Sequence, residues 1–481
     1  MTRLIWLRND LRVADNSALA AALAEGPCVA LYLLTPQQWL AHHDAACKVD
    51  FWLRNLVSLR EQLGRLNVPL LIRECRDWQE VPAQLLQLCR QLEIRAVHCN
   101  EEYGIHETRR DQASAQWLEQ HGVAFHAHLD QLLFKPGSVL TQGGHFFQVF
   151  SQFRKVCQQR LYHSLPTCRP SPAAQAALPI ASDAVPVSVP GFAVPPDALR
   201  QLWPAGEAEA QRRLQRFADE QMERYDRQRD LPAVPGTSQL SAYLAAGVIS
   251  PRQCLHAALQ VNRGEFDSGN PGALCWINEL LWREFYKHVL VGYPRVSRQR
   301  AFRPETEAVA WRQAPEELAA WQQGRTGIPL VDAGMRQLLA TGWMHNRLRM
   351  VTAMFLTKNL LIDWREGERF FMQHLIDGDL AANNGGWQWS ASTGTDAVPY
   401  FRLFNPLSQA QRFDAEGRFI RHWLPELDGL DDRALHNPAA LGGLFGAAAY
   451  PPPIVDLASS RERALQAFKN LPRTTPEPLH V

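Results

Sequence analysis

Three segments in the second half of the chain carry residue types that could do chemistry. In CWINELLWREFYKHVL, residues 275–290, Glu279, Trp282, Arg283 and Tyr286 recur three and four positions apart. That spacing puts an acid, an indole, a guanidinium and a phenol on one helical face, a poor core but a good recognition surface. From Arg283 to Arg303, six basic residues (283, 287, 295, 298, 300, 303) meet one acid, Glu284. Such a local excess fits a phosphate backbone, although a solvated basic face has the same composition. The second segment, IDGDLAANNGGWQWSASTGTDAVPY (376–400), sets Asp377, Gly378, Asp379 and Asn383 beside Trp387 and Trp389. Small and amide side chains beside two indoles suit a polar ligand cavity. Asp-Gly-Asp has no histidine or further carboxylate nearby, so hydrogen bonds to a heterocycle or ribose are the better reading. No metal site is expected. The third segment, Gly236-Thr237-Ser238-Gln239-Leu240-Ser241, precedes a helix expected from near Ser241. Hydroxyls and N–H groups at a helix start can hold an anion, and a plain N-cap accounts for the same residues.

These segments must be positioned by larger elements. Short apolar runs at 4–7, 28–34, 68–72, 96–99 and 124–128 alternate with amphipathic stretches such as 49–66 and 81–92. Strands alternating with helices predict a parallel, doubly wound sheet of five strands. No G-x-G-x-x-G or G-x-x-x-x-G-K-[ST] follows a strand there, which argues against a dinucleotide held in the Rossmann manner. Between Pro166 and Pro196 eight prolines stand among many Ala and Ser, the composition of a linker. Beyond about residue 200 the pattern is helical, as in 208–226, 274–290, 331–339 and 346–361. The expected division is an α/β domain over 1–135, a linker over 136–200, and a large all-α domain over 201–481.

Composition narrows the function classes. The 481 residues are 46% hydrophobic and 21% charged, and fifty Lys+Arg nearly balance forty-nine Asp+Glu. A globally basic nucleic-acid coat is excluded, so any polyanion site is a local patch. Nine scattered cysteines without C-x-x-C spacing fit reduced thiols in a cytoplasm rather than disulfides or zinc. No apolar run reaches the roughly 18 residues of a membrane span. Of fifteen tryptophans, ten follow residue 200.

Taken in order, WLRNDLRVADN (6–16), TSQLS (237–241), NELLWREFY (278–286), TGWMHNRLRM (341–350), LIDWREGERFF (361–371) and the 376–400 segment closely resemble the class I cyclobutane pyrimidine dimer DNA photolyases. The similarity runs from residue 1 to about 457. The resemblance implies a carbon–carbon lyase whose helical domain holds FAD in a U-shaped conformation and whose α/β domain carries an antenna chromophore. It implies flavin contacts from Tyr225, Thr237, Ser238, Gln239, Leu240, Ser241, Trp276, Asn346, Arg349, Asp377, Gly378 and Asp379, with Asn383 beside flavin N5. Gln239 stands where the family often has a basic residue. Glu279 resembles the acid that hydrogen-bonds the dimer, and Trp282 and Trp389 resemble the indoles that pack on it. Arg229, Arg283, Tyr286, Asn346, Arg347 and Gln409 are the implied DNA contacts.

Trp311, Trp364 and Trp387 match the family's electron-transfer chain, whereas Trp6, Trp52, Trp117, Trp321 and Trp343 are expected in the core. Asn346 and Met350 occupy the two positions where enzymes of the (6-4) photoproduct carry histidines, which points to the cyclobutane dimer as substrate. His345 is offset and should turn away. For the antenna, His106-Glu107 and Ser297-Arg298 stand where folate-binding relatives have Asn-Glu and Cys-Lys, so 5,10-methenyltetrahydrofolate is expected at Glu107. The expected partner is dimer-containing DNA, bound by a cytoplasmic monomer without a membrane. The alternatives are a cryptochrome and a flavin electron carrier. Asn383, the photolyase-type residue, and the short stretch beyond Leu457 count against the first. Glu279, Trp282 and the basic run count against the second.

Overall fold

The computed structural model describes residues 2–396, 402–441 and 450–471. They form two compact units that are discontinuous in sequence. The first takes the described residues up to Glu223, then Ser238–Pro294 and Ile376–Asp379; the second takes Arg224–Thr237, Arg295–Leu375 and the described residues from Leu380 on. This partition by packing follows different seams from the limits 1–135, 136–200 and 201–481.

In the first unit, β1 (Arg3–Leu7), β2 (Cys28–Leu34), β3 (Leu70–Glu74), β4 (Ala96–Asn100) and β5 (Ala124–His128) form one sheet in the order β3-β2-β1-β4-β5. All four pairings are parallel. Helices on both faces explain why β2, CVALYLL, is buried along its whole length, as central parallel strands are. β5 lies at the sheet edge and is largely exposed. The order reverses between β1 and β4, the switch point outside which such sheets bind ligands.

The 6–16 motif serves the packing of this unit. Asp10 Oδ2 accepts from Asn100 Nδ2 at 2.6 Å, and Arg12 pairs with Asp130 at 2.7 Å. Arg252, on the Pro251–Val261 helix, bridges Asp15 at 2.8 Å and Asp130 at 2.9 Å. This buried network ties the 251–261 helix to the sheet, which is one reason that packing ignores the expected boundary. The proline-rich stretch has no regular structure, yet it is pinned along β3. Asp183 N donates to Leu70 O at 2.8 Å, and Gln175 N donates to Leu66 O at 3.0 Å. Trp6 and Trp52 are buried as expected. Trp117 is a correction: it is 43% exposed, on the solvent side of the Ile105–Glu119 helix.

The second unit is helical. Its core collects Leu330, Val331, Leu338, Leu348, Val351, Phe355, Trp364, Phe371 and Trp387 from the Pro329–Thr341, Asn346–Met354, Trp364–His374 and Leu380–Ala391 helices and the turn Phe355–Asn359. That turn is π-helical, so the helix expected over 346–361 stops early as an α-helix. Trp321 is fully buried and donates to Thr352 O at 3.1 Å, and Trp343 is half-buried. No helix among the described residues is long and apolar enough to cross a membrane.

Candidate flavin and DNA site

The candidates divide between the units. In the first, the Pro271–Gly292 helix starts at Pro271 behind an Asn270 cap that accepts from Ala273 N, an arrangement that fixes its first turn. Trp276, Leu280, Leu281 and Phe285 face the core, and Glu279, Trp282, Arg283 and Tyr286 share the half-buried face, as the spacing predicts. Trp282 is stacked on Phe150, with centroids 3.7 Å apart and planes at 11°, so one indole face is already occupied.

The basic run is corrected. Glu284 is buried and accepts from Leu133 N and Phe134 N. Arg283 donates to Gln131 O at 2.6 Å, and Lys287 pairs with Asp379 at 2.6 Å. In the second unit, Arg300 reaches Glu307 at 3.2 Å and Arg303 reaches Glu305 at 2.7 Å. Acids just beyond the counted window therefore neutralise much of the excess. Arg298 is exposed.

The loop that ends in Ser238, Gln239 and Leu240 enters the short Ser241–Ala245 helix, whose N-cap is Leu240 and has no side-chain hydrogen bond. The plain serine cap is not formed. Instead Ser238 Oγ accepts from Leu240 N at 3.3 Å, and exposed Gln239 holds a left-handed φ of 51°. Non-glycine residues in this conformation concentrate at binding sites. Gln239 Oε1 also accepts from Arg213 at 3.4 Å, a guanidinium that pairs with Glu209 at 2.7 Å. Trp276 packs on Phe217 at 4.8 Å, and Asp377 and Gly378 are buried.

In the second unit, the 376–400 segment is more regular than its composition suggests. Leu380–Ala391 is a helix, while Ala397–Tyr400 lie outside the described residues. Its amides bond within the protein. Gln388 Nε2 donates to Asn384 Oδ1 at 2.8 Å, Gln388 Oε1 accepts from Phe302 N at 2.6 Å, and Asn384 Nδ2 donates to Glu368 Oε1 at 2.9 Å. Asn383 stands apart. It is half-buried, and its Nδ2 donates to the carbonyl of Glu368 at 3.0 Å. A carbonyl can only accept, so that bond orients the amide and leaves Oδ1 as the atom a ligand can meet.

Glu368 is a residue that sequence reasoning missed. Burial pushes its carboxyl up to about 7, against the hydrogen bond from Asn384. The available signal was an acid at the apolar i+4 position after Trp364. Arg347 pairs with Asp230 at 2.7 Å and lies over Phe413 at 4.4 Å, and Arg229 lies over Tyr225 at 5.4 Å. Arg349 donates to Met344 O at 2.8 Å. Asn346 is exposed at the first turn of its helix, Thr237, Met350, Trp389 and Gln409 are half-buried, and Arg402 lies over Trp389 at 5.1 Å. His345 caps that helix by accepting from Arg347 N at 3.2 Å, and burial pushes its pKa down to about 4. Trp387 and Trp364 are buried, and Trp311 is half-buried against the same core.

The antenna pair follows β4, beside the switch point. His106 is exposed, with its ring 5.5 Å from His42. Glu107 Oε2 is buried without a hydrogen-bond partner among the described residues. Burial, reinforced by the charge of Glu102, pushes its carboxyl up to about 7.

Residues 3–173 match the family described as DNA photolyase, and residues 276–470 match the FAD binding domain of DNA photolyase. The chain is 44% identical to the deoxyribodipyrimidine photo-lyase of Salmonella typhimurium, over 97% of this chain and 98% of that one. Among solved structures, it superposes on a bacterial class III photolyase from Agrobacterium tumefaciens with a TM-score of 0.88 at 32% identity, covering 97% of both chains. It also superposes on a cryptochrome from Synechocystis sp. PCC6803 with a TM-score of 0.84 at 27% identity, covering 97% of this chain and 99% of that one. Identity sustained through both matched domains, at full length, leaves one conclusion: the chain belongs to the DNA photolyase family.

Proposed function

We propose that this chain is a deoxyribodipyrimidine photo-lyase that binds FAD and repairs cyclobutane pyrimidine dimers in DNA under near-UV or blue light. The observation that carries the reading is Asn383, whose amide is oriented by Glu368 O so that an acceptor oxygen is presented. Reduced flavin carries an N–H at N5, and an amide oxygen suits it without adding charge. Bound FAD supplies the electron that opens the cyclobutane ring under light, so the protein's tasks are binding and positioning.

Tyr225, Thr237, Ser238, Gln239, Leu240, Ser241, Trp276, Asn346, Arg349, Asp377, Gly378 and Asp379 would hold the cofactor. The left-handed turn at Gln239 with Arg213 beside it supports phosphate binding there, and the ion pair with Lys287 fixes Asp379. A dimer inside a duplex is out of reach, so the lesion is flipped from the stack, as is general for photolyases. Glu279 would accept hydrogen bonds from it, and Trp282 and Trp389 would pack on it, at about 1–3 kcal/mol per stacked base. Arg229, Arg283, Tyr286, Arg347 and Gln409 would hold the strand, while Met350 leaves the pocket without a proton shuttle. Trp311, Trp364 and Trp387 would carry electrons during flavin photoreduction. The carboxyl of Glu107, raised to about 7 by burial and with its buried Oε2 unpartnered among the described residues, supports, beside His106, a pterin-type antenna such as 5,10-methenyltetrahydrofolate. Along the chain, within limits distinct from the two packing units, the antenna is assigned to a 1–135 domain, linked through 136–200 to a catalytic domain over 201–481, in a cytoplasmic monomer.

The test gives the reduced, illuminated protein matched oligonucleotides bearing a cyclobutane dimer or a (6-4) product. Loss of the dimer alone is expected. No loss beyond the dark control refutes the enzyme and leaves the cryptochrome reading. Reversal of the (6-4) product overturns the assigned lesion.

A further inference from the structure

We propose that Glu25, His98 and His126 form a binding site for a divalent transition-metal cation of the zinc type, at the sheet edge. The geometry follows from the register. β4 and β5 are parallel with His98 directly opposite His126, so both imidazoles project from one face, and His128 follows on the same face two residues later. Glu25 ends the Ser17–Glu25 helix. One ligand atom from each of Glu25, His98 and His126 lies within 4.8 Å of the other two.

His98 is the anchor. It is 1% exposed, its Nδ1 is 3.1 Å from His128 Nε2, and its Nε2 has no hydrogen-bond partner among the described residues. That Nε2 faces Glu25 Oε2 at 3.5 Å. If Nδ1–H donates to His128, Nε2 presents a lone pair to a carboxylate oxygen, and two acceptors at that distance call for a shared cation. A histidine ligand that gives its other N–H to an outer partner is the usual arrangement in metal sites. Metal–nitrogen and metal–oxygen bonds of about 2.0–2.2 Å in a tetrahedron put donors about 3.4 Å apart, close to the separation seen.

Glu25 already pairs with Arg3 at 3.1 Å, so a fixed positive charge stands at the rim of the site. His126 and Glu25 are exposed and can adjust, and a tetrahedral ion held by these three ligands would take its fourth from solvent. Two imidazoles and one carboxylate favour late first-row cations over Mg²⁺ or Ca²⁺. Bound there, the ion would clip the edge strand to β4 and the helix end. The proposal is independent of the flavin reading.

The test is equilibrium dialysis of the chelator-treated full-length flavoprotein against Zn²⁺, with bound metal measured by mass spectrometry and Mg²⁺ as counter-probe. One equivalent of Zn²⁺ is expected, with a rise in Tm on binding. His126→Ala and Glu25→Gln change exposed residues, so the fold should survive, and each should weaken binding about tenfold or more. Failure of the wild type to bind one equivalent at about 100 μM Zn²⁺ overturns the proposal, as does affinity within a few-fold of wild type in either variant.

Discussion

Glu368→Gln should make the protein more stable at alkaline pH, and the sign follows from where the proton sits. Glu368 is 5% exposed, and burial raises its carboxyl from an ordinary 4.5 to about 7. Between those values the folded protein keeps a proton that the unfolded chain has released, so stability falls as pH rises from about 4.5 through about 7. Above that range the loss is complete. A shift from 4.5 to about 7 corresponds to about 3 kcal/mol at about 1.4 kcal/mol per unit. Glutamine has the same shape and no proton to lose, and its oxygen can still accept from Asn384 Nδ2. The backbone carbonyl that orients Asn383 is unchanged.

The assay is thermal unfolding of both proteins, equally loaded with flavin, between pH 5 and 8. The readout is the difference between them, because other groups with raised values, Glu107 among them, contribute equally to each and cancel. The variant should gain on the wild type by about 5–10 °C in Tm across that range, given about 2–4 °C per kcal/mol for units of this size. A difference independent of pH, or one that grows in favour of the wild type, refutes a buried neutral carboxyl at this position.

Two further outcomes are expected in the second unit. Trp387→Phe should abolish photoreduction of oxidised flavin while leaving repair intact after chemical reduction; Trp387 is only 2% exposed and packs on Phe371 and Trp321, contacts that a phenyl ring largely preserves. Normal photoreduction in that variant would remove Trp387 from the electron path. Gly367→Ala tests the packing around the same indole. In a helix the change ordinarily stabilises by about 0.5–1 kcal/mol, but here the added methyl would fall inside contact distance of the Trp387 ring. Overpacking of this kind costs about 1–3 kcal/mol, so a lowered Tm is expected and a raised one refutes the contact.

Much of the fold was legible because its determinants are local. Short apolar runs between amphipathic stretches place all five strands within two residues at each end, and the i, i+3, i+4 spacing locates the half-buried face of the 271–292 helix. The family was legible for a different reason, since long ordered motifs survive in sequence whatever their role. The 6–16 motif contributes Arg12 and Asp15 to a buried ion network.

What sequence could not decide depends on partners distant in the chain or outside a chosen window. In sequence Glu284 counts only as the one acid of the basic run, yet it is buried and binds the backbone N–H groups of Leu133 and Phe134. The basic run looked unbalanced until Glu305 and Glu307 folded onto Arg303 and Arg300. The amides of 376–400 read together as lining a polar cavity, but those of Asn384 and Gln388 are satisfied by Glu368 and Phe302, and Asn383 keeps an oxygen to present. Glu25, His98 and His126 are scattered through the chain, so no spacing could register them. The parallel register of β4 and β5 and the end of one helix bring them together. Composition and periodicity decide which elements form, because those forces act within a few residues. Burial, charge pairing and ligand geometry wait on the tertiary fold, because they depend on which elements meet.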